Sequence, residues 1–448
     1  MRRHLNRSAF ILAALVLASL SPRAAVGQAA TSSQQPTYTL PEYNSLQSAQ
    51  AEKDPQAQIR QLDSFVQQYP NSTLLQYIYQ MYYTAYYKLK NIPKAIEYTD
   101  KLIALGDKAD VGSRVQAIQA RMQLFGLQPA PTGPDARDQL TKQRDAALLG
   151  VKLLPDLKAT NPKLTDDQVK VLRSGFEGAA GSVDVMLKDY PAAEEAYKAE
   201  LAVNPNDPVA SYRLGLAYLQ STPPQSLDGF WALARAVDLK IPETDKIKDY
   251  LRKTIVNYQQ PNCDSLVDAQ LSELLQLAAN APERPATYSI PSAADIQKVA
   301  QASTIITVIG DLSGGGDKAK LTWLAICGAE FPQVIGKIIE VKKSDNFVDI
   351  MTFTSASPDE IAAATTANMD VKVWTAAAPA GSTTAQITPQ PDVVRVVKDD
   401  EIQFSGTLVS YDPSPFVLHW DSVKVDPSTI PDKGGAKKPA AHRPAPKS

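Results

Sequence analysis

From residue 41 to about residue 330, apolar side chains recur at three- and four-residue spacing, the period of helices that bury one face. Leu62, Phe65, Val66 and Tyr69 form one such stripe, and Leu74, Leu75, Ile78 and Tyr79 form the next. Between them Pro70-Asn71-Ser72 ends one helix and caps its successor, which also accounts for the sequon-like Asn71-Ser72-Thr73. Ile92-Pro93 opens another helix through Ala95, Ile96 and Leu102, and further helices are expected at 139–154, 165–186, 245–258, 264–279, 293–309 and 318–329. Near Phe331-Pro332 the period changes to alternation. Five strands are predicted there, at 334–342, 347–353, 371–374, 402–411 and 416–425, with a glycine bulge at Gly406 and a loop or short helix over 356–368. Such strands close into a small β-barrel or pack as a β-sandwich.

The helical part repeats itself. Gly181 and Gly215 are 34 residues apart, as are Ala193 and Leu227, and Tyr197 and Trp231. Each segment reads as a helical hairpin, 175–188 with 192–203 and then 208–220 with 225–239. Small Gly181, Gly215 and Ala234 let paired helices approach, and bulky Tyr197 and Trp231 fill the space between hairpins. An earlier unit is degenerate: Tyr86 precedes Ala95 by the interval that separates Tyr218 from Leu227, with Thr99 where an aromatic is expected.

This pattern resembles the tetratricopeptide repeat of bacterial envelope proteins. The match is best over 188–219, in Tyr190, Ala193, Ala196, Tyr197, Pro205, Leu214-Gly215 and Tyr218. The resemblance implies a mostly α chain: an irregular solenoid with the later helices as caps. It also implies a non-enzymatic scaffold or adaptor that needs no cofactor and binds a protein or peptide in its groove. The first helix of each hairpin would line that groove, which makes Ser211, Arg213 and Gln220 candidate contacts, with Tyr77, Tyr83 and Tyr87 from the earlier unit. The tyrosines of that earlier helix divide between core and groove, because Tyr79, Tyr82, Tyr83 and Tyr86 keep core spacing. More weakly, Gly336–Ile339 followed by 399–406 resembles small OB-like barrels. The alternative function is a module that binds envelope polysaccharide or peptidoglycan through the β domain and a basic C-terminal tail.

The ends change the picture of where the chain works. Arg2, Arg3 and Arg7 precede an apolar run from Ala9 to Leu20, then small residues through Ala24, Ala25 and Gly27. A dozen apolar residues is short for a membrane span of about 20, so this is a secretory signal with cleavage near 27–30, and the product is periplasmic or secreted. Lys433, Lys437, Lys438, Arg443 and Lys447 sit among Pro, Gly and Ala in a basic tail able to touch anionic envelope polymers. The expected organisation is signal peptide 1–27, linker 28–40, solenoid 41–330, β domain 331–426 and tail 427–448. No later stretch is long and apolar enough to span a membrane.

Composition and chemistry mostly exclude. Lys+Arg 46 against Asp+Glu 48 gives a net charge of −2, which argues against nucleic acid as a partner. Three His and two Cys leave little for metal clusters. His419 is the one histidine of the folded part and suits a structural strand position; no nucleophile–base set can be built around it. The segment from Ser313 through the three glycines to Asp317-Lys318 lacks the Lys-Ser/Thr pair of a phosphate loop and reads as a helix connection. Acidic pairs Asp166-Asp167 and Glu194-Glu195 are explained by helix starts and repeat faces. Cys263 and Cys327 can pair in an oxidising compartment, and the sequence leaves open whether they do.

Overall fold

The structure is a computed structural model that describes residues 37–377 and 388–432. The expected signal peptide 1–27, the expected linker as far as residue 36 and the expected tail from residue 433 lie outside the described residues.

The chain begins with α1 (Leu40–Ala51), α2 (Pro55–Gln68), α3 (Leu75–Lys88), α4 (Ile92–Ala104), α5 (Val111–Gly126), α6 (Ala136–Thr160), α7 (Asp166–Leu187), α8 (Tyr190–Val203), α9 (Pro208–Gln220) and α10 (Ser226–Asp238). Their starts follow from local chemistry. Thr39, Asp54, Asn91, Asp110, Thr165, Asp189 and Asp207 each accept a first-turn backbone N–H, which supplies a partner to an amide that would otherwise have none. At α3 the expected cap is displaced. Leu74 occupies the cap position without a side-chain bond, and the Ser72 hydroxyl instead accepts from Leu74 N–H at 3.1 Å.

Each of these helices packs on the ones before and after it in the chain. The buried apolar residues accordingly fall into local clusters rather than one core. Leu62, Phe65, Ile78 and Tyr82 form one, Ile118, Leu154 and Phe176 a second, and Ala193, Tyr197, Leu214 and Ala217 a third. This near one-dimensional pattern is that of a helical solenoid. The repeat glycines do what their spacing suggests. A Cβ at Gly181 would lie 2.9 Å from the Tyr197 ring, and one at Gly215 would lie 2.8 Å from Leu233. The segments 165–186 and 175–188 turn out to belong to one 22-residue helix, α7, and α6 has 25 residues with Pro155 inside it. These two long helices are why the repeat loses register between the early unit and residue 190.

α11 (Thr244–Gln259) and α12 (Leu266–Asn280) follow, and the chain divides into two compact units inside them. One unit runs through Leu251 and includes 274–286; the other holds 252–273 and everything from Thr287 on.

The second unit contains α13 (Ala293–Ala302), α14 (Ile305–Gly314), α15 (Gly316–Ile326) and a five-stranded β-barrel. The single helix expected over 293–309 is two, because Thr304 leaves the helical conformation and caps α14 in a capping box with Thr307. The glycine run is a helix connection, with Gly315 and Gly316 at φ +69° and +72°. The strands are β1 (Glu330–Lys343), β2 (Phe347–Phe353), β3 (Met369–Trp374), β4 (Glu401–Pro413) and β5 (Phe416–Val425), and α16 (Pro358–Ala363) lies between β2 and β3. Their order is β1-β2-β3-β5-β4 with closure, every pair antiparallel except the parallel β3–β5. The sandwich alternative is thereby set aside. Gly406 is bulged out of the β4–β5 register as expected.

Two boundaries differ from the sequence pattern. Ile296, Val308, Leu312 and Leu324–Ile326 share one core with Ile338, Ile350, Phe404 and Trp420. Helices α13–α15 therefore pack with the barrel, and their role as solenoid caps does not hold. At the other end, the turn Pro427–Thr429 is ordered, Ile430 is buried, and Thr429 Oγ1 accepts from Gln403 N–H, so the domain runs past residue 426. Cys263 and Cys327, both in this unit, are disulfide-bonded with Cα atoms 5.9 Å apart.

Candidate functional site

The 34-residue register makes one residue of α8 stand out. Glu200 aligns with Ala234 in the next hairpin and with Leu102 in the early unit, both fully buried and apolar. An acid here needs room, and Gly178 of α7 supplies it where the next hairpin has Tyr212. A Cβ at Gly178 would lie 2.6 Å from Glu200 Oε2. Glu200 is 8% exposed, and its Oε2 has no hydrogen-bond partner. Burial pushes the carboxyl up to about 8. The Arg213 cation opposes that rise, and Asp207 and Glu177 add to it.

Glu200 lines a cavity of about 110 Å³ with residues of α5, α7 and α9. Met122, Val171, Leu172, Phe176 and Ala179 give it apolar walls. Gln119, Gln123, Gln168 and Ser182 add neutral polar groups, and Arg213 a cation. Three of these helices, α5, α7 and α9, are the first members of successive hairpins. Gly175 also lines the cavity, with nothing within 4 Å of where its Cβ would be. The arrangement can hold a narrow apolar group that ends in a hydrogen-bond donor.

Of the residues singled out from the sequence, Arg213 alone lines this cavity. Ser211 is 2% exposed, and its hydroxyl bonds the Asp207 carbonyl at 2.9 Å, so it serves the helix start rather than a surface. Gln220 is exposed and takes part in a 3.3 Å bond from the Tyr190 hydroxyl. Tyr77 and Tyr87 are exposed on α3, whereas Tyr83 packs beside Leu102, Ala109 and Ala117, where burial pushes its hydroxyl up to about 12. None of the three tyrosines lines the cavity. Glu200 itself escaped the sequence reading, although the pairing of Gly178 with Glu200 against Tyr212 with Ala234 was visible in the register. Glu194, expected on a repeat face, is instead buried, accepting from Ser221 Oγ and Gln225 Nε2.

In the barrel unit, His419 sits between two carboxylates, with Nδ1 3.2 Å from Asp370 and Nε2 3.0 Å from Asp412. The outward face of β2 and β3 carries Phe347 edge-on to Trp374, with Lys372 Nζ 4.2 Å from the Phe347 ring centroid. Among the described residues no cluster of His, Cys, Asp or Glu is placed to hold a metal, and no helix is long and apolar enough to cross a membrane. No family model matches the chain, and no curated protein matches it either.

Proposed function

We propose that this chain is an exported, non-enzymatic scaffold whose helical unit binds a peptide segment of a protein partner across the first helices of its hairpins, as the resemblance to tetratricopeptide repeats implies. One observation carries this reading: a cavity walled by α5, α7 and α9 together, holding a cation and a buried acid whose Oε2 has no partner. Repeat proteins bind through surfaces that several repeats share, and a buried polar group left without a partner is unfavourable unless something else supplies one. The test is capture of partners from envelope extracts by the full chain and by its Gly175→Leu variant. The leucine fills open space on a helix, so the fold is kept while the cavity is closed. Equal capture by both proteins would remove the groove from the function.

A second reading has its own observation. Phe347 and Trp374 present aromatic surface on the outside of β2 and β3, beside Lys372 and the carboxylates of Asp349 and Asp370, which suits sugar rings held by stacking and by hydrogen bonds to their hydroxyls. The strand order with parallel β3–β5 supports the resemblance to OB-like barrels, whose corresponding strand face binds oligosaccharides or oligonucleotides. Association with purified cell-wall polymer should then be lost in Trp374→Ala and kept in Gly175→Leu.

A further inference from the structure

We infer that the cavity is a lysine pocket: it takes a lysine side chain of the bound peptide, with the aliphatic stem against Leu172 and Phe176 and the ammonium at Glu200. This deepens the groove reading and rests on it.

Three observations lead there. The first is that Glu200 is not a requirement of the fold. Leu102 of the early unit and Ala234 of the next hairpin fill the equivalent position, so an apolar residue suffices to pack it. Placing an acid there has required a glycine opposite, and its Oε2 still has no donor. A site that breaks the local pattern at a cost in stability is where function is expected. The Ser174 hydroxyl hydrogen-bonds the carboxyl, so what is missing is a donor at Oε2, and a ligand can bring one.

The second is the sign of the charge. The groups that face Glu200 are Arg213 of α9 and Asp207 at its N-cap, and Glu177 and the Ser174 hydroxyl of α7. Arg173 acts on Glu177 in turn. Three acids therefore stand against two arginines, and the acids remain in excess once Glu200 ionises. A cation suits that excess, whereas a second carboxylate does not. Asp207 already accepts from Val209 and Ala210 N–H, which leaves Glu200 as the acid open to the ligand.

The third is shape. A cavity of about 110 Å³ with apolar walls and an acid is matched by a lysine, whose methylenes bury along apolar surface while its ammonium reaches a polar end. Side-chain amides of Gln119 and Gln123 offer acceptors for the remaining ammonium protons. Because the empty site holds its proton up to about pH 8, binding of the ammonium expels that proton. Affinity then falls roughly tenfold per pH unit below 8.

The experiment uses the full chain and three probes: N-acetyl-lysine methylamide, its norleucine analogue without the ammonium, and N-acetyl-glutamate methylamide. Binding is followed by calorimetry from pH 6 to 9. The lysine probe should bind at least tenfold tighter than the norleucine probe, weaken as the pH falls below 8, and be lost in both Glu200→Gln and Gly175→Leu. Equal binding of norleucine, tighter binding of the glutamate probe, no binding by any probe, or an unaltered Glu200→Gln protein each overturns the proposal. Should Glu200→Gln not fold, Gly175→Leu, which keeps the acid, still decides. If Gly175→Leu abolishes partner capture while no lysine probe binds, the groove stands and the lysine pocket falls. If the lysine probe binds and capture is indifferent to Gly175→Leu, the reverse holds.

Discussion

Gly178 and Glu200 occupy one space between α7 and α8: a Cβ on the glycine would meet Glu200 Oε2 at 2.6 Å and Oε1 at 2.8 Å. The two positions exchange bulk relative to the next hairpin, where Tyr212 and Ala234 stand. A large residue on one helix is answered by a small one on the other, as close packing requires.

That exchange makes the pair non-additive. Gly178→Ala alone gains helix propensity of about 1 kcal/mol but drives a buried carboxyl out of its place, so a net loss of about 1 kcal/mol is expected. In a Glu200→Ala background the same substitution should stabilise by about 0.5–1 kcal/mol. Urea melts of the four proteins measure the coupling. Additive effects would mean that the two residues do not share space.

The barrel is expected to depend on its helices. Ile296, Val308, Leu312 and Leu324–Ile326 are buried in the same core as Ile338, Phe404 and Trp420. A fragment of residues 331–432 would expose that surface, whereas 252–432 keeps both the helices and the disulfide. The short fragment should bind a hydrophobic dye and lack sharp near-ultraviolet signals from its tryptophans, and the long one should unfold cooperatively. A cooperative short fragment would restore the boundary at residue 331.

Where the sequence pattern was legible, local chemistry decided the outcome. The helices expected from 165 and 208 begin there, capped by Thr165 and Asp207, Gly406 marks a bulge, and the change of period at Phe331 marks the first strand, because each acts on its nearest neighbours in the chain. What stayed hidden was tertiary. The partner of an amphipathic helix is not encoded in its period, so α13–α15 could be assigned to either unit. Nor does a repeat position announce that its residue lacks a partner. Spacing alone singles out nothing at Glu200, whose burial depends on Gly178 opposite it, and it places Ser211 on the groove although its hydroxyl bonds the Asp207 carbonyl at the start of its own helix.

Tyr83 and Arg213, both groove candidates by spacing, should separate cleanly. Tyr83 packs against Leu102 and Ala117, so Tyr83→Ala is expected to lose about 2 kcal/mol or more of stability. Arg213 is half-buried at the cavity, and Arg213→Ala should change stability at pH 7 by no more than about 0.5 kcal/mol. Thermal melts of the two variants, with capture measured beside them, tell packing from contact. A larger loss for Arg213→Ala would reverse the assignment.

The disulfide closes a long loop. Cys263 and Cys327 are 64 positions apart, and chain entropy over such a loop amounts to about 4 kcal/mol as an upper figure. The native protein should show no free thiol to an aromatic disulfide reagent, and two after denaturation with reductant. Cys263→Ser/Cys327→Ser should lower the denaturant midpoint seen by Trp323, Trp374 and Trp420, which all lie in that unit. An unchanged midpoint would mean that the bond adds nothing to its stability.

Glu200 also sets a pH dependence whose sign is opposite to that of most carboxylates. Its folded value is raised to about 8 from 4.5, so between those limits the folded protein holds a proton that the unfolded chain has released. Stability linked to this group is therefore complete below pH 4.5 and declines as the pH rises toward 8. The slope is on the order of 1.4 kcal/mol per pH unit at most, and it levels off above pH 8. Burial raises Glu177 and Asp184 in the same direction, but they are common to wild type and Glu200→Gln and cancel in the difference. The measurement is the unfolding free energy of both proteins in urea at half-unit steps from pH 5 to 9. Wild type should lose stability against the variant steadily up to pH 8 and run parallel to it beyond. Parallel curves across the whole range would show that Glu200 ionises normally in the fold, and the buried acid on which the lysine pocket depends would not exist.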